Sequence, residues 1–249
     1  MEQIRLNKYL ARSGVCSRRD ADRLIAGGAV LVNGQRAECG MQVNAEDEIL
    51  VAGKPVRPVF RSVVLAFYKP PGVTCTERDS HAQQTVSDVV NYSRRVTYAG
   101  RLDKDSEGLL LLANDGDLIQ AMMKGANRHE KEYLVRTDRE ISDAFLGKMA
   151  AGIYLEDLGV VTRQCEVEKA GKFTFRIILT QGLNRQIRRM CTACGYRVKS
   201  LKRIRVMNIK LGNLKPGEYR ELDRAEVTEL YRACGMDSFA AESKEERNG

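Results

Sequence analysis

The sequence predicts an α+β protein in two unequal units, the larger one built on a central, mainly antiparallel sheet flanked by helices. Three observations carry this expectation. Near the N-terminus, Leu6, Tyr9 and Leu10 recur at helical spacing. The stretch Lys54-Pro55-Val56-Arg57-Pro58 reads as an extended joint, because prolines this close together disfavour helix. Beyond it, strand-like and helix-like segments alternate irregularly to about residue 235, which favours an antiparallel or mixed sheet over a regular parallel one.

The elements follow in order. Gly14 is placed to end the first helix, and Ser17 is placed to cap a second, with Asp20 as its capping-box partner three residues on. The second helix is expected to bury Ala21, Leu24 and Ile25 and to stop at Gly27-Gly28. AVLVNG then reads as a short strand closed by the hairpin signal Asn33-Gly34. The exposed side chains of the helical pair are expected to be Arg5, Lys8, Arg12, Arg18, Arg19 and Arg23. Over residues 5–36, seven Lys or Arg face two acids, Asp20 and Asp22. Such a face either grips an anion or is simply solvated. This first unit spans residues 1–60. The second, 61–236, opens on the buried-type strand Val63-Val64-Leu65-Ala66-Phe67, which must turn at Lys69-Pro70-Pro71-Gly72. GLLLLAND, EKEYLVRT, ISDAFLGKMAAGI and FTFRIILT continue the alternation. The polar, charged tail 237–249 is expected to be disordered.

Composition narrows the function class. A chain of 249 residues that is 43% hydrophobic can bury a sizeable core. The net charge of +8 points to a polyanionic partner, most commonly nucleic acid. Seven cysteines, odd in number and far apart, fit a reducing cytoplasm better than a secreted disulfide scaffold. The N-terminus lacks an apolar signal segment, and no run of about 18 apolar residues suggests a membrane span. Cys191 and Cys194 form a C-x-x-C with no second pair, and the histidines, His81 and His129, are distant, so no zinc site is expected. Neither a phosphate-binding loop nor a dinucleotide glycine fingerprint is present, and no cofactor is expected.

Three constellations carry chemistry. The first, Gly100-Arg101-Leu102-Asp103-Lys104-Asp105-Ser106-Glu107-Gly108, is a glycine-flanked loop entering the apolar strand Leu109–Leu112. A carboxylate on such a loop can act as nucleophile or base; the residues alone do not choose among its three acids. The second is Gln181-Gly182-Leu183-Asn184-Arg185-Gln186-Ile187-Arg188-Arg189-Met190. From Asn184 to Gly217 there are ten Lys or Arg and no Asp or Glu, a one-sided charge that phosphate could balance. The third is Lys131-Glu132-Tyr133-Leu134-Val135, a strand in which Tyr133 could face a cleft and stack on a base, or belong to the core.

Together, GRLD followed by GLLLL, HEKEYLV, and LTQGLNRQIRRMC resemble the RsuA/RluB/RluE/RluF family of bacterial rRNA pseudouridine synthases, with wording most like its RluF branch. RLNKYLARSGVCSRRDADRLI and VLVNG resemble an S4 (alpha-L) RNA-binding domain. The resemblance runs from Arg5 to about Leu230. It implies a monomeric, cofactor-free enzyme that isomerises a uridine in large-subunit (23S) rRNA, with tRNA as a further candidate substrate. It also implies roles: Asp103 as the catalytic carboxylate, Arg101 as the side chain that helps displace the flipped uridine, Tyr133 as the ring that stacks on it, and Arg188 as the partner of the carboxylate. Arg189 is adjacent, so the last assignment depends on register. Arg5, Lys8, Arg12, Arg18, Arg19, Arg23, Asn184, Arg185 and Arg189 would hold RNA. Lys69-Pro70-Pro71-Gly72 matches a structural motif of the family. Ala113 and Ser106 stand where relatives often carry Thr, and Ser106 keeps the hydroxyl. A non-catalytic S4-type ribosome-assembly protein is the alternative from another class, and a hydrolytic RNA enzyme with paired acids is a second.

Overall fold

The computed structural model of the protein describes residues 3–57, 62–76 and 84–236. The N-terminal unit runs β1 (Ile4–Arg5), α1 (Leu6–Arg12), α2 (Arg18–Ala26), β2 (Val30–Val32), β3 (Gln35–Arg36), β4 (Gln42–Val43), β5 (Ile49–Val51) and β6 (Lys54–Pro55). Its signals act locally. The Ser17 hydroxyl accepts the Asp20 backbone N–H and so caps α2. Asn33 and Gly34 both take positive φ, as a two-residue hairpin of this type demands. Leu6, Leu10, Ala21, Ile25, Val30 and Ile49 make the core; Leu24 is only half-buried.

The proline stretch departs from expectation. Lys54 and Pro55 form an edge strand paired with Leu50 and Val51, and Val56 packs on the core of this unit. An edge strand tolerates the missing proline N–H, so these residues belong to the first unit rather than to a joint. Pro58 and the tail 237–249 lie outside the described residues.

The second unit comprises β7 (Val64–Lys69), α3 (Val86–Val89), β8 (Thr97–Ala99), β9 (Glu107–Ala113), α4 (Gly116–Met123), β10 (Lys131–Thr137), α5 (Asp143–Ala151), β11 (Tyr154–Leu155) and β12 (Val160–Val161). It continues with β13 (Glu166–Gly171), β14 (Thr174–Leu179), α6 (Gln186–Ala193), β15 (Val198–Val206), β16 (Ile209–Lys210), β17 (Tyr219–Glu221) and α7 (Arg224–Ala233). β11 and β12 pair only with each other, and the remaining strands form one sheet in the order β13-β14-β10-β15-β9-β7-β17, with β8 beside β9 and β16 beside β15. Its pairs are antiparallel except β9 with β15, and the fold is α+β as the sequence predicts.

Strand alternation divides the apolar residues between two faces. Val64, Ala66, Leu109 and Leu111 point to one face and pack under Leu118 of α4 and Leu230 of α7. The opposite face carries two separate clusters. One gathers Phe67, Leu110 and Leu112 with Val86 and Leu102. The other gathers Val135, Phe175 and Ile177 with Phe145 of α5 and Met190 of α6. Tyr133 packs against both, and the cleft opens where they meet. No helix among the described residues is long and apolar enough to cross a membrane.

Candidate active site

One transverse row of the sheet runs to the cleft, which its Arg203 and Tyr133 line. Pairing sets Lys69 of β7 opposite Gly108 of β9, Gly108 opposite Arg203 of β15, and Arg203 opposite Tyr133 of β10. Residues paired in this way project from the same face. The row requires glycine at position 108: its φ is +104°, and a Cβ there would lie 2.2 Å from the Arg203 carbonyl oxygen.

The loop carrying Asp103 is fastened to this row by Lys69. The Lys69 ammonium is fully buried and donates to the carbonyl oxygens of Ser106 at 2.7 Å, Pro70 at 2.9 Å and Lys104 at 3.4 Å. The Gly72 backbone N–H donates to the Lys104 carbonyl at 2.8 Å, tying the turn after β7 to the same loop. Burial pulls the Lys69 pKa down to about 8, against opposing pulls from Cys75, Asp103 and Asp105.

Asp103 is half-buried, with two arginines from the start of α6 facing it. Its Oδ2 lies 3.7 Å from Arg185 Nη1 and 4.0 Å from Arg188 Nε. Arg188 Nη2 donates to the Asp105 carbonyl at 3.1 Å and to Ser106 Oγ at 3.3 Å, so the retained hydroxyl at 106 is used. Its Nε is buried with no hydrogen-bond partner among the described residues. Arg188 is thus anchored to the loop at one end while its other end points an ionic contact, not a hydrogen bond, at the carboxylate. Arg185 reaches Asp105 as well, at 3.8 Å, from a left-handed backbone with φ 50°. That conformation costs a non-glycine residue roughly 1–2 kcal/mol, and such outliers cluster where function needs them.

The register question between Arg188 and Arg189 is resolved by the helix. Ile187, Met190 and Cys191 bury one side of α6. Arg189 turns away from the cleft: it donates to the Asn184 carbonyl at 2.8 Å and to Asn184 Oδ1 at 3.1 Å, and pairs with Asp157. Arg101 is exposed and lines the cleft together with Asp103, Tyr133, Arg185, Arg188 and Arg203. The cavity measures about 520 Å³, a size usual for pockets that enclose a small molecule or a single residue of a polymer.

Other expected contacts are redistributed. Arg5, Arg12, Arg18, Arg19 and Arg23 are exposed, and Arg23 pairs with Asp20 at 2.9 Å. Lys8 is not freely exposed: it forms an ion pair of 2.8 Å with Asp117 of α4 and so joins the two units. The run Asn184–Gly217 is not one basic surface. Arg185 faces Asp103 and Asp105, Arg189 pairs with Asp157, Arg205 pairs with Glu130 and Glu132, and Arg203 is buried. The counter-charges come from distant segments, which a count along the chain does not see.

Sequence reasoning gives no chemical role to Lys69, Lys131 or Arg203 and places Arg185 on RNA rather than on the carboxylate. One signal is available: Lys69 ends a strand whose six residues are all buried, and a lysine is rarely buried without a purpose.

A basic helical unit beside a sheet domain, with a carboxylate, two guanidinium groups and an aromatic ring in one cleft, is the equipment of an enzyme that modifies nucleic acid. The RNA pseudouridylate synthase family matches residues 63–193, and the S4 domain matches residues 4–49. The chain is 47% identical over 243 residues to the dual-specificity RNA pseudouridine synthase RluF of Escherichia coli (strain K12), covering 97% of this chain and 83% of that protein. It is 38% identical over 234 residues to an uncharacterized RNA pseudouridine synthase of Aquifex aeolicus, covering 92% and 97%. A crystal structure described as pseudouridylate synthase superposes with a TM-score of 0.67 at 27% identity, over 91% of this chain and 99% of that one. The chain belongs to the RNA pseudouridylate synthase family, as an RluF-like member with an N-terminal S4 domain. The reading as a non-catalytic assembly protein is set aside.

Proposed function

We propose that this enzyme converts a specific uridine of 23S ribosomal RNA to pseudouridine, with Asp103 as its catalytic residue and no cofactor. The observation that carries the proposal is the placement of Asp103 in the cleft, with Arg185 and Arg188 within 4.0 Å of its Oδ2 and Tyr133 on the same cleft wall. The isomerisation breaks the C1′–N1 bond, forms a C1′–C5 bond, and moves the C5 proton away while N1 gains one. Atoms and electrons balance within the nucleotide, so a carboxylate able to attack or to take a proton is sufficient chemistry.

The uridine must first leave its stack, at a cost of a few kcal/mol. Arg101, exposed on the cleft wall, would fill the gap, Tyr133 would stack on the extruded base, and Arg188 would orient the carboxylate. Arg5, Arg12, Arg18, Arg19 and Arg23 would hold RNA backbone through the S4 unit, 1–60, and deliver it to the catalytic unit, 61–236. Asn184 and Arg185 border the cleft, and Arg189, turned away from it, holds Asn184 and Asp157; the role of the three would be to shape its rim. The enzyme would act as a monomer in the cytoplasm.

The test is a pseudouridine map of ribosomal RNA and tRNA from cells lacking the protein, complemented by wild type or by Asp103→Asn. One large-subunit site should vanish and return only with wild type, with a loss on the order of 10³-fold or more for the variant. A site in tRNA alone would reassign the substrate. Activity retained by Asp103→Asn would remove that residue from the chemistry.

A further inference from the structure

Arg203 and Lys131, both lining the cleft, form no ion pair with a described residue. Arg203 is 2% exposed. Its Nε donates to the Leu109 carbonyl at 2.6 Å, but its Nη2 is buried with no hydrogen-bond partner among the described residues. Lys131 lines the same cleft. Burial lowers its pKa, and the neighbouring charge of Arg203 lowers it further. The nearby carboxylates are committed elsewhere. Asp103 and Asp105 face Arg185. Glu132 alternates to the opposite face of β10, where Arg176 and Arg205 hold it.

The sheet brings these cations together around Tyr133. Lys131 and Tyr133 share a face of β10, two residues apart, and Arg203 is the cross-strand partner of Tyr133. A buried guanidinium N–H without an acceptor and a second cation beside it are both unfavourable. An anion would relieve both at once.

We propose that Lys131 and Arg203 form an anion site that holds a backbone phosphate of the nucleotide in the cleft. The proposal rests on the reading that the cleft takes a flipped uridine. Tyr133 occupies the position suited to the base, which leaves the phosphate as the anionic group that must lie beside it. A phosphate does not react in this isomerisation. Its capture would supply binding energy that holds the extruded nucleotide over Asp103.

The full-length protein should be titrated by calorimetry with uridine, uridine 5′-monophosphate, uridine 3′-monophosphate and inorganic phosphate at constant ionic strength. One of the two monophosphates should bind about tenfold or more tightly than uridine, the scale of a charge-assisted hydrogen bond. Inorganic phosphate should compete with that monophosphate if the site takes phosphate from any source; failure to compete would show that the nucleoside must be attached. Lys131→Gln should abolish the preference and leave uridine binding unchanged, and Lys131→Arg should retain it. Equal responses to uridine and both monophosphates, absent responses included, would overturn the proposal. So would a preference that survives Lys131→Gln, or equal losses in Lys131→Gln and Lys131→Arg. Asp103→Asn should keep the preference, because the titration involves no turnover. A failed phosphate preference beside an intact pseudouridine map would sink the anion site alone, and a failed map beside a retained preference that Lys131→Gln abolishes would sink the catalytic reading and leave the anion site standing.

Discussion

The helical face of the S4 unit and the stretch from Asn184 to Gly217 are both rich in Lys and Arg, but their cations keep different company. Arg5, Arg12, Arg18 and Arg19 are exposed and have no ion pair with a described residue, while Arg23 has only its own helix neighbour Asp20. In the second stretch, Arg185, Arg189 and Arg205 face carboxylates from other segments, and Arg203 lies within the sheet. The first region leaves its charge exposed, as the proposed grip on RNA backbone requires. The second commits five of its ten cations, Arg185, Arg188, Arg189, Arg203 and Arg205, to carboxylates or to burial, while Arg197, Lys199, Lys210 and Lys215 stay exposed. Density of charge along a chain therefore does not separate a gripping surface from catalytic machinery; pairing in three dimensions does.

The contrast breaks most sharply at Arg188. Arg188→Ala removes the group anchored to Asp105 and Ser106 and directed at Asp103. The expected result is a fall in kcat of about a hundredfold, with Kd for RNA little changed, read by single-turnover kinetics and filter binding. A loss confined to Kd would place Arg188 among the gripping cations and erase the distinction. The reverse pattern is expected for the S4 face. Replacing Arg12, Arg18 and Arg19 together by Gln should weaken RNA binding about tenfold or more and reduce the salt slope by roughly 0.7–0.9 for each phosphate no longer neutralised. The rate at saturating RNA should hold. An unchanged salt slope would mean that these exposed arginines are only solvated.

How much of this is open to inspection along the chain follows the range of each interaction. Ser17 and Asn33-Gly34 act within three residues, and both are legible as cap and turn. The loop with Asp103 is legible as a loop, and the family resemblance singles out its aspartate. Pro55 misleads because its edge strand depends on a partner at Leu50 and on which side of the sheet is open. Lys69, Gly108, Arg203 and Tyr133 form a row only through three strand pairings. Nothing in the spacing of residues 69, 108, 133 and 203 reveals that register.

Lys69 sharpens the comparison from the side of protonation, because it is a cation spent wholly on backbone. Its folded pKa of about 8 lies below its ordinary 10.5, so between those values the unfolded chain holds a proton that the folded chain lacks. Stability contributed by this group therefore rises with pH across that window and is flat below it. Activity should move the other way. Neutral lysine has two N–H donors for the three carbonyls it now holds, so the loop bearing Asp103 should loosen above pH about 8. A titration of the Lys69 side-chain resonance by NMR, set beside the pH–rate profile, checks both. A midpoint at the ordinary lysine value would show that the ammonium is not desolvated.

The smallest effect is expected at Lys8, which sequence places with the gripping arginines and the fold does not. Its partner Asp117 sits in the first turn of α4, where a carboxylate already interacts favourably with the helix dipole. Both side chains remain partly open to solvent, so the pair contributes at most about 1 kcal/mol. Lys8→Met should therefore lower Tm by no more than about 2–4 °C and leave the salt slope of RNA binding unchanged, unlike loss of any one of the exposed arginines. Exchanging the charges, Lys8→Asp with Asp117→Lys, should recover only part of the stability, because a lysine in the first turn of α4 opposes the dipole that Asp117 favours. A salt slope that drops in Lys8→Met as it does for the arginines would return Lys8 to the RNA face and show that the ion pair to α4 gives way when RNA binds.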